Sequence, residues 1–321
     1  MAPLLPNADG VARLLASSMA GTALDPSKRM TESIVADMSA PSPVAVGGIG
    51  GSGTRLIAEI LRRLGYYMGE DLNRAGDNLW FTLLFKRTEL LTAGSRQDDF
   101  EQAVCIFRVV MSGGAALTPD QEAFVRSLAI MDRPQHTAAW LRRRVESLLD
   151  AAQGPARHPW GWKAPNTHIL LDRFYAALPY MRYIHVMRNG LDMAFSKNQN
   201  QLKLWGRYFF GDADYEVSPR WSLKYWCLVH RRITRLGEQL MPGRYMLLNY
   251  DAFCAVPQAG LRALLRFLGL TVGPSTEASL AALVRQPDSI GRFKQHDLRL
   301  FDPADLECVK AFGFDTTEIQ Q

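Results

Sequence analysis

Residues 44–65 read VAVGGIGGSGTRLIAEILRRLG. An apolar run, Val44 to Val46, stops in glycine, which fills five of the seven positions 47–53. A helical pattern follows at once: Leu56, Ile57, Ile60, Leu61 and Leu64 fall on one face, and Gly65 stands where a helix would stop. A glycine loop between strand and helix lets backbone N–H groups converge on an anion, and the helix start adds its positive end. An ATP-type loop reads G-x-x-x-x-G-K-[ST], with lysine on the phosphates and a hydroxyl on magnesium. Gly48 and Gly53 have that spacing, but Thr54 stands at the lysine position and Arg55 at the hydroxyl position. The stretch predicts an anion cradle over Gly50, Gly51, Ser52, Gly53, Thr54 and Arg55 that does not work on ATP–magnesium.

Three further apolar runs have strand length and end in turn residues: WGWKA (160–164), MRYIHVMR (181–188) and RYMLLNY (244–250). Helical patterns separate them, which predicts an α/β fold with a central parallel sheet flanked by helices. Residues 66–158 form a large, mostly helical insertion, clearest at DQEAFVRSLAIMD (120–132) and PQHTAAWLRRRVESLLDAA (134–152). The last third is helical at 219–240, 256–270 and 275–286. The expected organisation is an N-terminal arm, 1–42, and one α/β domain, 43–321. The arm holds a short amphipathic helix (VARLLASSMA, 11–20) and a loose SAPSPV linker.

In YIHVMRNGLDMAFSKN (183–198) a strand ends in Arg188, and a helix is expected from about Asp192, with Ser196 two turns into it. Strand C-termini are where open α/β sheets bind ligands. An arginine fork and a serine hydroxyl there suit a phosphate. Together with the glycine loop, this R-x7-S pair resembles the sulfotransferase family. The resemblance implies a P-loop-containing fold and a donor, 3′-phosphoadenosine 5′-phosphosulfate (PAPS), with the bisphosphate PAP as product. It also implies that the glycine loop holds the 5′-phosphosulfate, and that Arg188 and Ser196 hold the 3′-phosphate. WGWKAPNTHIL (160–170) is similar to the strand that supplies a catalytic lysine, here Lys163. RYMLLNYDAF resembles the segment whose tyrosine, here Tyr250, lies near the adenine. SIGRFKQH (289–296) is similar to the loop that closes over the 3′-phosphate, implicating Arg292, Phe293 and Lys294. Members whose loop reads Lys-Ser-Gly-Thr carry a lysine where this chain has Gly51, so Arg55 or Lys163 would take over its task. The match is closer to diverged bacterial members.

Sulfonate transfer needs a base for the acceptor's proton, and MGEDLNRAGDNLWF (68–81) offers Glu70, Asp71 and Asp77. Asp77 serves equally as the cap of the helix that follows. His168 resembles a catalytic histidine position at altered spacing; His185 and His230 read as packed. Lys86 or Arg87 ends the next helix, facing either the site or the helix dipole. Trp205, Tyr208, Phe209 and Phe210 read as an aromatic loop suited to an acceptor, and Trp221, Tyr225 and Trp226 as core.

The net charge is +5, from 37 Lys and Arg against 32 Asp and Glu, and the pI is near 9.1. This mild, scattered excess suits a small anionic ligand and argues against nucleic acid. Four distant cysteines (Cys105, Cys227, Cys254, Cys308) show no metal spacing, and no signal peptide or membrane span is legible. The expectation is a cytoplasmic enzyme, without a metal requirement, acting on a small-molecule or glycan acceptor with a hydroxyl or amine. The alternatives are a P-loop small-molecule kinase and a catalytically silent nucleotide-binding module.

Overall fold

The computed structural model describes residues 42–91, 97–131, 133 and 135–317. The helix expected at 11–20 and residues 39–41 of the linker lie outside the described residues. Strand β1 (Val44–Gly48) runs into the glycine loop and helix α1 (Thr54–Arg63). Within the insertion lie α2 (Leu79–Phe85), α3 (Gln97–Ser112), α4 (Pro119–Ser127) and α5 (Ala138–Ala151). After it come β2 (Gly161–Lys163), α6 (Leu171–Ala177), β3 (Arg182–Met187) and the short α7 (Gly190–Ala194). The chain continues through α8 (Asn200–Phe210), α9 (Pro219–Leu240) and β4 (Tyr245–Asn249). It ends in α10 (Tyr250–Ala255), α11 (Pro257–Leu268), α12 (Pro274–Ala281) and α13 (Pro303–Ala311).

The four strands form one parallel sheet in the order β2-β1-β3-β4, so all four carboxyl ends share one edge. Strands β1 to β3 are largely buried and β4, at the sheet's end, is half-buried apart from Leu248; successive side chains feed two cores, as a pleat with both faces covered requires. Val44, Val46, Ile184 and Val186 pack with Ile57, Ile60 and Leu61 of α1 and Leu261 and Leu264 of α11. Ala45, Trp162, Tyr183 and Met187 face the other way, into the core shared with the insertion and α9. The insertion leaves and rejoins the sheet at one point, where Tyr67 pairs with Trp160. Its helix α3 buries Phe100, Ala103, Val104, Phe107, Val110 and Met111, a stripe at helical spacing.

Three local expectations are corrected. Asn78, not Asp77, caps α2: its side chain accepts the Phe81 N–H at 2.8 Å. Ser196 lies beyond α7, not two turns into a helix. The Gln199 amide donates to the carbonyls of Met193, Ala194 and Ser196 at 3.0, 3.2 and 2.7 Å, which ends the helix early. Trp205–Phe210 is helix, not loop, because Leu202 and Trp205 bury a stripe of α8, with Phe209 and Phe210 partly buried against the same core. Among those four aromatics Tyr208 alone is well exposed.

Candidate functional site

The glycine loop connects β1 to α1 at the carboxyl edge of the sheet. Gly51 and Gly53 both take φ +98°, a left-handed backbone that favours glycine. A Cβ on Gly51 would meet nothing within 4 Å, so that side of the loop is open. A Cβ on Gly53 would fall 2.2 Å from the Tyr250 ring, so Tyr250 packs directly on the loop. The amides of Gly50, Gly51 and Gly53 meet no acceptor among the described residues. No side chain caps α1; the Leu56 N–H donates to the Gly53 carbonyl at 3.0 Å, and the N–H groups of Thr54 and Arg55 meet no acceptor among the described residues. The Ser52 hydroxyl is fully buried without a partner. Unpaired donors and an orphaned hydroxyl around an open turn are what a phosphate or sulfonate would satisfy.

Lys163 ends β2 beside this loop, with a side chain only 4% exposed. Its ammonium contacts the Asp77 carboxylate and donates to the Ala75 carbonyl at 3.1 Å. Burial pulls its pKa down, the Asp77 charge opposes this, and Arg55 adds to the lowering, so the Arg55 charge reaches it. The Asn78 amide donates to the Lys163 carbonyl at 2.8 Å, and Asn73 donates to Asp77 at 2.8 Å. Capping by Asn78 thus leaves the Asp77 carboxylate free to face Lys163. Glu70 and Asp71 lie elsewhere in the segment, paired with Arg157 (3.3 Å) and Arg144 (3.0 Å).

His168 is fully buried, its Nε2 3.0 Å from Gln201, and burial pushes its pKa down to about 3. Gln201 also donates to the Gly48 carbonyl at 3.4 Å and to Asn166 at 3.2 Å. His168 therefore braces the strand that carries the glycine loop and offers no open face to an acceptor. This is a correction of its reading as a base.

Arg188 stands just past β3, 9% exposed, donating to Ser289 at 2.9 Å. Asp192 and Asp251 flank its guanidinium at 3.8 and 3.7 Å. Burial raises the pKa of Asp251, opposed by the Asn189 N–H and the Arg188 charge. Asp192 accepts the N–H groups of Gly291 and Phe293 at 2.8 and 3.0 Å, which brings 289–296 to Arg188. Arg292 reaches the Phe195 carbonyl at 3.4 Å, Phe293 is buried, and Lys294 pairs with Asp315 at 2.9 Å. The Ser196 hydroxyl accepts from the Asn198 N–H at 3.2 Å.

The structure thus brings the glycine loop, Lys163, Arg188 and Tyr250 to one edge, with Asp77 added from the insertion. Sequence reasoning missed Asn78, Asp192, Gln201 and Ser289. A cap motif one residue on would have found Asn78; the other three carry no local signal. A cavity of about 450 Å³ lies within the insertion, between Gly114–Leu117 and Leu149–Gly154; none of these strand-end residues lines it. Among the described residues, no His, Cys, Asp and Glu side chains gather in threes to hold a metal. No helix there is long and apolar enough to cross a membrane.

A parallel sheet with a glycine loop after its first strand and cations at its carboxyl edge defines a P-loop-type protein. Residues 43–274 match the model of the sulfotransferase family, and the chain belongs to that family. It is similar to the sulfotransferase domain of the olefin synthase from Synechococcus PCC 7002, at 17% identity. That match covers 88% of this chain and 98% of that one, with a TM-score of 0.44. It is also similar to sulfotransferase STF9 from Mycobacterium avium, at 14% identity, covering 91% and 81% with a TM-score of 0.41. A sulfotransferase from Alicyclobacillus acidocaldarius matches at 14% identity, covering 85% and 96%, with a TM-score of 0.40. No curated protein sequence matches.

Proposed function

We propose that the protein is a cytoplasmic, PAPS-dependent sulfotransferase acting on a small-molecule or glycan hydroxyl or amine, with residues 43–321 as its catalytic unit. The carrying observation is the open glycine turn, with its unpaired N–H groups and orphaned Ser52 hydroxyl, directly beside the Lys163–Asp77 pair. Gly50 to Arg55 would hold the donor's 5′ end. Arg188, with Ser196 and the Arg292–Lys294 turn, would hold its 3′-phosphate, and Tyr250 would border the adenine. Bound there, the donor supplies a sulfonate on a phosphate leaving group. Asp77 takes the proton from the acceptor oxygen or nitrogen as the new bond to sulfur forms. Lys163, aligned by Asp77 and Ala75, and Arg55 supply positive charge toward the leaving phosphate oxygen, the role left open by Gly51.

The test is thermal unfolding with PAP, with ATP plus magnesium, and with an oligonucleotide. A ligand at about 100 times its Kd adds about 2.7 kcal/mol, a shift of several degrees at this size. PAP alone should stabilise. Stabilisation by ATP–magnesium and not by PAP makes the protein a kinase instead.

A further inference from the structure

The segment between α7 and α8 lies across the glycine loop, and two glutamines pin it there. The Gln199 amide takes the last carbonyls of α7, and its Oε1 accepts the Ser222 hydroxyl of α9 at 2.7 Å. The Gln201 amide donates to Gly48, at the end of β1, at 3.4 Å. It also donates to Asn166 at 3.2 Å, three residues beyond Lys163. Gln201 therefore joins the strand that carries the loop to the β2 side of the site.

Asn198 stands just ahead of these anchors. A Cβ on Gly50 would fall 3.5 Å from the Asn198 Nδ2, so this side-chain amide lies against the bare backbone of the loop. Gly50 and Asn198 also border one small cavity of about 20 Å³, with Ile49, Gln201 and Tyr225 among its other walls. That volume admits about one water-sized atom. The polar atoms of Asn198 are only partly used. Its N–H donates to the Ser196 hydroxyl at 3.2 Å, and its Oδ1 accepts the Asn200 N–H at 3.4 Å. These bonds assign the side-chain oxygen and leave Nδ2 with no acceptor among the described residues. The Gly50 N–H has none there either. No side chain at position 51 comes between them, where related loops carry lysine.

Two spare donors beside a gap for one small atom suit an oxygen of a bound anion. At the α1 end of the loop, the N–H groups of Thr54 and Arg55 suit the donor's 5′-phosphate. The Gly50 end is tied through Gln201 and Asn166 toward Lys163, and is left for the group bonded to that phosphate. We propose that the Asn198 Nδ2 donates to a sulfonate oxygen of PAPS, a neutral donor on the face of the loop where Gly51 leaves no cation. This rests on the sulfotransferase reading of the site and is measurable without turnover.

The experiment is calorimetric titration with PAPS and with PAP, which lacks only the sulfonate, in the absence of acceptor. The readout is the ratio of the two affinities, because a disturbed Ser196 turn moves both ligands together and cancels. Asn198→Ala should weaken PAPS about 10-fold, the lower end for a hydrogen bond to a charged group, and leave PAP within about twofold. A ratio equal to that of the unsubstituted protein overturns the assignment, whether both affinities hold or both fall. Unsubstituted protein that binds neither ligand removes the donor reading, and this assignment with it. Protein that binds both, with the ratio unmoved by Asn198→Ala, keeps the donor reading and loses the assignment alone.

Discussion

Asp77 is held from three sides: the Lys163 ammonium at its carboxylate, Asn73 on the same group, and Asn78 tying the next peptide to β2. A base acting at that position contributes about 10²- to 10⁴-fold to turnover. Asp77→Asn preserves size and hydrogen bonding to Lys163 while removing the proton acceptor. It should lower kcat by about that factor and leave PAP affinity within a few-fold. Loss of PAP affinity with unchanged kcat would reassign Asp77 to donor binding. Half of this residue-scale picture was legible: the acidic segment and Lys163 stood out in sequence. Which carboxylate faces Lys163 was not, because Glu70, Asp71 and Asp77 differ only in their partners, and two of those partners, Arg157 and Arg144, lie in the far half of the insertion.

At the scale of elements, the short helix α7 and the 289–296 segment behave as one clasp. The Asp192 side chain is 1% exposed; it accepts two backbone N–H groups a hundred residues ahead and faces Arg188. Hydrogen bonds to a charged group contribute roughly 1.5–3 kcal/mol each. Asp192→Ala should therefore cost about 3 kcal/mol in urea unfolding and speed proteolytic cutting near Arg292. Undiminished stability with a protected loop would show that Phe293 packing alone holds the clasp. Both segments were recognised in sequence, one by its arginine and one by its basic turn. The joint between them was not, since an aspartate in the first turn of a helix looks like ordinary dipole complementation.

Across the whole molecule, three buried histidines lie ring to ring beneath the sheet, His168 to His185 at 6.0 Å and His185 to His230 at 5.1 Å. Tyr183 bonds His185 at 2.7 Å, the Trp226 carbonyl lies 2.7 Å from His230, and Arg232 adds positive charge near His168. Burial holds all three uncharged, with His168 and His230 pushed down to about 3. In the unfolded chain each protonates near 6.5, so the unfolded state binds more protons as pH falls below that value. Stability should be full above about pH 6.5 and decline toward pH 4, by up to about 1.4 kcal/mol per pH unit for each histidine. Urea midpoints measured from pH 8 to 4.5 check this; a flat profile below 6.5 would mean that the cluster takes up protons while folded. By itself the sequence determined the four strands, their alternation with helices and the position of the glycine loop, because local periodicity and glycine content encode these. Only the tertiary structure decided what meets across the carboxyl edge. The strand order β2-β1-β3-β4 departs from chain order, and Asp77–Lys163, Gln201–Gly48 and Asp192–Phe293 close over 86 to 153 residues. No local period carries contacts of that span; they exist once the sheet has placed its strand ends side by side.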